Sequence, residues 1–291
     1  MQSHSSMSAE DIAKRLGLKR YPRSWRGRCP ACDYASTFTI RAGREGRALL
    51  FCASCRDRDA LARAVALVSG QDHRCVPRPD PDEAARRQRS QDRALALWSG
   101  SESLLGTPAE IYLAGRGLNA LAPSPALRFR PDTPHPEGGR YPALIALTQN
   151  AAGVPVAVHR TFLTRDGRKA NVEPVKASLG PTSGGAIRLQ AMEPDKPLVI
   201  GEGIETSASA GLLLGLPAWA AISAGNLAKG LELPPEVRRI VVAADPDEPG
   251  RNAARDAWRR WTAEERRVRI ALPDGDRDFN ELLQGRETCN D

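Results

Sequence analysis

Two groups of side chains in this chain have types and spacings that do chemistry: four carboxylates in the last third and four thiols near the start. Glu202 sits in Gly201-Glu202-Gly203 after the apolar run 198–200, and Asp245 and Asp247 close the run 239–244. Asp278 follows the run 268–272 by way of Asp274 and Asp276. Carboxylates brought together repel one another, and leaving water raises the pKa of each, so such a cluster is costly without a cation. Mg²⁺ or Mn²⁺ relieves that conflict, because a hard ion takes oxygen ligands and leaves positions open for phosphate oxygens. The predicted chemistry is metal-assisted phosphoryl transfer. A single Asp after a strand is ordinarily a solvated loop residue; three acidic turns, each closing its own apolar run, favour a site.

The thiols form two knuckles, Cys29-Pro30-Ala31-Cys32 and Cys52-Ala53-Ser54-Cys55. Strand-like runs at 37–40 and 48–51 lie between them, joined by a glycine-rich turn at 43–46. Folded as a hairpin, they bring two thiolate pairs into tetrahedral geometry for Zn²⁺. Two redox dithiols or two disulfides are the rival readings, which a reducing compartment disfavours. Four thiolates leave no open position, so the zinc is expected to be structural. Cys75 and Cys289 are left over.

These residues need elements to hold them. The three acid-bearing runs alternate with helical patterns at 206–214 and 251–261, the second with Pro249 in its first turn. Strands alternating with helices predict a parallel, doubly wound sheet, with Glu202, Asp245, Asp247 and Asp278 on the edge formed by the strand C-termini. Upstream, a capping box at 8–11 opens a short helix, and residues 57–69 read as a helix closing the cysteine module. Residues 71–81 are polar and proline-rich and read as a linker. Helices are expected over 82–98 and from Thr107-Pro108 to Gly115, then a loop-rich stretch at 123–142, then strands at 143–148, 154–163 and 186–189.

The stretch 21–27 is basic and aromatic, either gripping single-stranded nucleic acid or forming a loop pinned by Trp25. Arg116 lies between glycines; it meets a phosphate or caps its helix. Arg160, Lys169, Lys176 and Arg188 recur on the predicted strands and turns, and on one groove they would track a nucleic-acid backbone. His159 reads as a packing or hydrogen-bonding residue, and residues 225–229 as a phosphate-holding or plain turn.

With 291 residues and a formal charge of +7, the chain has room for two domains and a small module, and its basic excess suggests a polyanionic partner. No run is long and apolar enough for a membrane span, and a cytoplasmic protein without membrane contact is expected.

Gly201-Glu202-Gly203-Ile204-Glu205-Thr206, Ala244-Asp245-Pro246-Asp247-Glu248-Pro249-Gly250 and the run 277–283 resemble the three signatures of a Toprim domain. A four-cysteine ribbon, a basic α+β region and a Toprim-like domain, in that order, resemble bacterial and phage-type DNA primases. The runs 112–118, 141–143 and 159–161 resemble the phage- and plasmid-associated branch. The implied fold is α/β in three parts: a zinc-ribbon module at 1–70, a basic α+β half of the catalytic core at 82–195, and a Toprim domain with a parallel sheet at 196–291.

The implied activity is synthesis of short RNA primers on a single-stranded DNA template from ribonucleoside triphosphates. Asp245, Asp247 and Asp278 would hold Mg²⁺ or Mn²⁺, Glu202 would orient a water or move a proton, and Glu205 would support them from behind. Arg116, Arg160, Lys169, Lys176 and Arg188 would hold phosphates. A separate replicative helicase is a partner the resemblance leaves open. A Toprim-type nuclease using the same acids, and a non-catalytic DNA-binding replication accessory, are the rival functions.

Overall fold

The computed structural model describes residues 7–43, 48–55, 58–70, 82–273, 275 and 277–287. The predicted linker at 71–81, most of the turn at 43–46, Asp57, Asp274, Asp276, Cys75 and Cys289 lie outside the described residues. The chain divides into two compact units, Met1–Asp80 and Pro81–Asp291.

In the first unit, Ser8 caps α1 (Ala9–Arg15) by accepting from the Asp11 amide, as the capping box predicts. Four strands follow, β1 (Lys19–Tyr21), β2 (Ser24–Gly27), β3 (Phe38–Ala42) and β4 (Ala48–Cys52), paired antiparallel in that order, and then α2 (Arg58–Ser69). Ile12 of α1 and Leu61 and Val65 of α2 pack with Trp25, Phe38 and Ile40. The basic stretch at 21–27 is therefore the second half of a hairpin, with Trp25 buried and the Arg20 guanidinium 4.3 Å from its ring centre. That burial favours the anchoring reading of Trp25, because an indole inside the core cannot stack on a base.

The second unit carries two sheets. One is antiparallel, in the order β5 (Leu127–Pro134), β6 (Arg140–Gln149), β7 (Pro155–Phe162), β8 (Lys176–Leu179). The stretch at 123–142, expected to be loop, thus contains an eight-residue strand. Pro131 and Pro134 hide it in the sequence, and its pairing shifts register between Arg130 and Thr133 to accommodate them.

The other sheet has the order β13 (Arg267–Ala271), β12 (Arg239–Ala243), β10 (Leu198–Gly201), β11 (Ala218–Ala220), β9 (Ile187–Arg188). Its first four strands are parallel, and β9 joins the edge antiparallel. Helix α5 (Ile204–Leu214) packs against α7 (Phe279–Glu287), and α6 (Glu248–Ala263) packs on β12 and β13. The remaining helices are α3 (Glu83–Ser99) and α4 (Pro108–Ala114).

The antiparallel sheet is buried on both faces, and strand alternation assigns each residue a side. Leu144 and Ala146 of β6 join the core formed with α4 and with Ile187, Ile204 and Ala208. Ala143, Ile145, Val158 and Phe162 face the opposite way and pack with Ala94 and Leu97 of α3. Register sets Arg160 opposite Ala177 and His159 opposite Ser178, so Arg160 belongs to the α3 side while His159, Thr161 and Lys176 belong to the other.

Residues 226–230 form a single π-helical turn, not a phosphate loop. Asn226, 1 % exposed, accepts from the Gly184 amide and donates to the Gly185 and Ala221 carbonyls. It closes the turn before β9 onto the end of β11. Asn226→Ala leaves those three backbone groups unsatisfied. It is expected to cost about 2–4 kcal/mol, given roughly 1–3 kcal/mol per buried unpaired group with partial relaxation. Urea denaturation of the variant measures this, and a change under about 0.5 kcal/mol contradicts it.

Candidate active site and metal centre

The parallel strands end level with one another, because Gly201 pairs in register with Ala220 and Ala243, and Ala243 with Ala271. Glu202 is the next residue after Gly201, Asp245 comes two after Ala243, and Asp278 follows β13 through a short loop. All three stand along one edge of the sheet, as the alternating pattern predicts.

Burial pushes the Asp245 carboxyl up; Asp247 and Asp278 push it further, while the Thr206 hydroxyl, donating at 2.7 Å, and Lys176 oppose them. Gly250 permits this crowding, since a Cβ there would come within 2.8 Å of the Asp245 Cβ.

Two of the acids also have local structural work. Asp247 caps α6 by accepting from the Gly250 amide at 2.8 Å. Asp278 accepts from the Glu281 amide while Glu281 accepts from the Asp278 amide, a reciprocal capping box opening α7. The positive ends of two helix dipoles thereby offset part of the repulsion that sequence reasoning assigned to a cation. Among the described residues, no three carboxylates bring ligand atoms within 4.8 Å of one another. The acids share an edge, and Asp245 lies in the field of Asp247 and Asp278.

Facing this edge is a network that the sequence reading reduced to one supporting residue. Glu205, 15 % exposed at its side chain, pairs with Lys176 at 2.9 Å and Lys169 at 3.4 Å and accepts from the Tyr112 hydroxyl. Burial alone would push the Glu205 carboxyl up, but Lys176, Lys169 and the Tyr112 hydrogen bond outweigh it and hold the carboxyl well below its usual range. The same pairing, with burial, pushes the Tyr112 phenol far up, and desolvation pulls the Lys169 ammonium down.

His159, Lys176, Glu202 and Glu205 line one small cavity of about 80 Å³, floored by Ile187, Ile204 and Ile222. Burial, with Lys176 beside it, pushes the half-buried His159 down to about 3, so its ring is neutral at physiological pH. It bonds Ser178 at 3.0 Å, the hydrogen-bonding role expected of it. A larger concavity of about 580 Å³, walled by Leu104, Pro123, Pro125 and Arg128, contains none of the predicted site residues.

Of the five predicted phosphate-binding cations, three are brought together. Lys169 feels the charges of both Lys176 and Arg116, and Arg116 is tied to α7 by Asn280, whose amide donates to the Arg116 carbonyl at 2.7 Å. Arg160 and Arg188 are placed differently. Arg160, 6 % exposed, lies on the reverse side of the sheet and donates to the Pro134, Ala177 and Ser178 carbonyls. Arg188 stacks on Trp219 at 4.4 Å and donates to the Asn150 and Ala151 carbonyls. Alternation along a strand puts neighbours on opposite faces, so a run of basic residues does not make one track.

In the other unit, the Sγ atoms of Cys29, Cys32, Cys52 and Cys55 all lie within 4.8 Å of one another. Cys29 to Cys55 is 4.0 Å and Cys32 to Cys52 is 3.7 Å. A tetrahedron with Zn–S near 2.3 Å has edges of about 3.8 Å, so the cage fits zinc. A disulfide, at about 2.05 Å, does not describe these separations. Hydrogen bonding between Cys29 and Cys52 pulls the Cys52 thiol down and pushes the Cys29 thiol up.

Residues 88–189 match the model of a Domain of unknown function (DUF7146), and residues 197–288 match the model of a Toprim domain. The C-terminal segment of this chain is a Toprim domain. The three acidic turns described above lie within the matched residues. No match was found among curated protein sequences.

Among solved structures the chain is similar to the DnaG catalytic core, at 16 % identity and a TM-score of 0.46, over 70 % of this chain and 77 % of that one. It is also similar to the primase fragment of the bacteriophage T7 primase-helicase protein, at 16 % identity and 0.42, over 94 % and 98 %. A third similarity is to the zinc-binding and RNA polymerase domains of Aquifex aeolicus primase, at 13 % identity and 0.46, over 98 % and 82 %. No helix among the described residues is long and apolar enough to cross a membrane.

Glu205→Gln removes the counter-charge of two partly buried ammonium groups where the Toprim domain meets the antiparallel sheet. The expected loss at pH 7 is about 2 kcal/mol, below the usual buried-pair figure because both lysines are about one-third exposed. The folded-state pKa of Glu205 is depressed, so its contribution is present above the unfolded value of about 4.3 and is lost as pH falls towards the depressed one. Denaturation curves of wild type and Glu205→Gln should therefore converge below about pH 4. Parallel curves down to pH 2 would contradict this assignment.

Proposed function

We propose that this chain is a primase-type nucleotidyltransferase that copies single-stranded DNA into short RNA primers from ribonucleoside triphosphates. One observation carries the reading: the Toprim edge sets Asp245 in the field of Asp247 and Asp278 with Lys176 close by, acids for metal ions beside a cation for phosphate. The order of a cysteine cage, a basic α+β region and a Toprim domain, which resembles that of primases, supports it.

In this mechanism Asp245, Asp247 and Asp278 would hold one or two divalent ions. Bound Mg²⁺ or Mn²⁺ supplies charge neutralisation of the triphosphate and activation of the attacking oxygen. Thr206 holds the Asp245 carboxylate in one orientation through its hydroxyl. Glu202, at the mouth of the cavity shared with Lys176, accepts a proton or positions a water. Lys176, Lys169 and Arg116 bind phosphate oxygens, with Glu205 and Tyr112 fixing the ammonium groups until the substrate arrives. His159, neutral, donates or accepts hydrogen bonds without adding charge. The cysteine cage holds structural zinc and presents the ribbon to the template. A replicative helicase, as a separate chain, would bring the protein to its template.

The test incubates the protein with single-stranded DNA, labelled ribonucleotides and Mg²⁺ or Mn²⁺. A ladder of short RNAs is expected, and Asp245→Ala should reduce it at least about 100-fold while DNA binding is retained. Shortened DNA in place of a ladder indicates the nuclease, and bound but unchanged DNA indicates the accessory protein. For the cage, elemental analysis should find one zinc per chain, lost in Cys52→Ser. Chelation should unfold the first unit, because so small a core depends on its metal. Wild type without zinc and with an unaltered circular-dichroism melt would refute the zinc assignment.

A further inference from the structure

On the α3 side of the antiparallel sheet, opposite the face carrying His159 and Lys176, exposed arginines outnumber acids: α3 carries Arg86, Arg87, Arg89 and Arg93 against Glu83 and Asp92, and Asp92 already accepts from Gln88. Arg86, Arg89 and Arg93 stand at i, i+3 and i+7 on α3, which sets them on one helix face, and all three are exposed. Arg89 and Arg93 have no acidic partner among the described residues. Arg160 lies beneath, and Arg93 is the charged neighbour that, after burial, pulls its guanidinium down. Two guanidinium groups thus share a field with only carbonyl oxygens to balance them. Arg128 and Arg130, on β5, complete the layer by donating to the Trp98 and Gly100 carbonyls at the end of α3.

Proteins ordinarily disperse like charges or pair them, because unpaired like charges destabilise the compact state. Helical rise separates the stripe's arginines by about 4–6 Å, and its total length is about 10 Å. Those steps suit successive phosphates of a nucleic-acid strand, and the guanidinium fork matches a phosphate. Of the aromatics on this side, Phe162 is fully buried and Trp98 has the Arg128 guanidinium 4.5 Å from its ring centre. The partner chemistry is therefore sugar and phosphate, without base stacking.

We propose that the arginine stripe of α3 is a second nucleic-acid site, separate from the Toprim edge, that grips the phosphate backbone irrespective of sequence. It does not rest on the primase reading, since DNA held there touches none of the acids.

The experiment measures binding of fluorescent single-stranded and duplex DNA to the full chain over a salt series, without nucleotides or added magnesium. Arg89→Gln with Arg93→Gln is expected to weaken binding about 10-fold near 100 mM salt and lower the slope of log affinity against log salt by about two. Arg89→Lys with Arg93→Lys keeps the charges and should restore most of both. Arg259→Gln, which removes an exposed cation of α6, should leave affinity and slope nearly unchanged.

Unaltered DNA affinity in the Gln pair overturns the proposal. So does a Lys pair as weak as the Gln pair, because the effect would then not be electrostatic. Loss of anionic-vesicle or acidic-protein binding in the Gln pair, with DNA binding intact, overturns it in favour of that partner. A protein that makes no primers yet shows this salt dependence fails as a primase and keeps the second site.

Discussion

A carboxylate removed from water has to be given its counter-charge, and the second unit of this protein is joined through one such group. Glu205 begins α5 just after β10, and what neutralises it comes from elsewhere: Lys176 from β8, Lys169 from the turn before it, and the Tyr112 hydroxyl from α4. Tyr112 and Lys169 are themselves put at a disadvantage by burial, and the cost of leaving any member unpaired holds the set together. The network fixes the antiparallel sheet against the Toprim domain.

The acidic edge shows a related economy. Asp247 and Asp278 each cap a helix, and Asp245 is held by Thr206. Helix N-termini supply partial positive charge, which lets acids sit near one another in the absence of ions.

Many of the arginines that make the chain basic are not on offer to a ligand. Arg160, Arg188, Arg260 and Arg266 direct their guanidinium groups at backbone carbonyls, in the last two cases at the segment 227–237. A guanidinium has five donors in a planar fork, so it satisfies several carbonyls of an irregular segment at once. Net charge therefore overstates the surface for polyanions, and only the placement of each side chain separates a structural arginine from one that faces water, such as Arg89 or Arg93.

The features legible in the sequence were those whose cause is local. The cysteine cage could be read because Cys-x-x-Cys and an intervening hairpin bring four thiols together with little help from the rest of the chain. The level strand ends with their acids could be read because alternating helix and strand patterns imply a parallel sheet, and parallel pairing aligns the ends. The cap at Ser8 and the first-turn Pro108 were legible for the same reason, whereas Thr107, at the N-cap position, turns its hydroxyl to the Leu104 carbonyl and caps nothing. What required the tertiary structure depends on distant partners or on which face a side chain takes. Tyr112 meets Glu205 across 93 positions of sequence, and Arg116 meets Asn280 across 164. Strand β5 was masked by prolines that only its pairing with β6 accommodates. Arg160 and His159 are adjacent in sequence yet serve opposite sides of one sheet, because successive strand residues alternate and packing alone decides which side meets the Toprim domain.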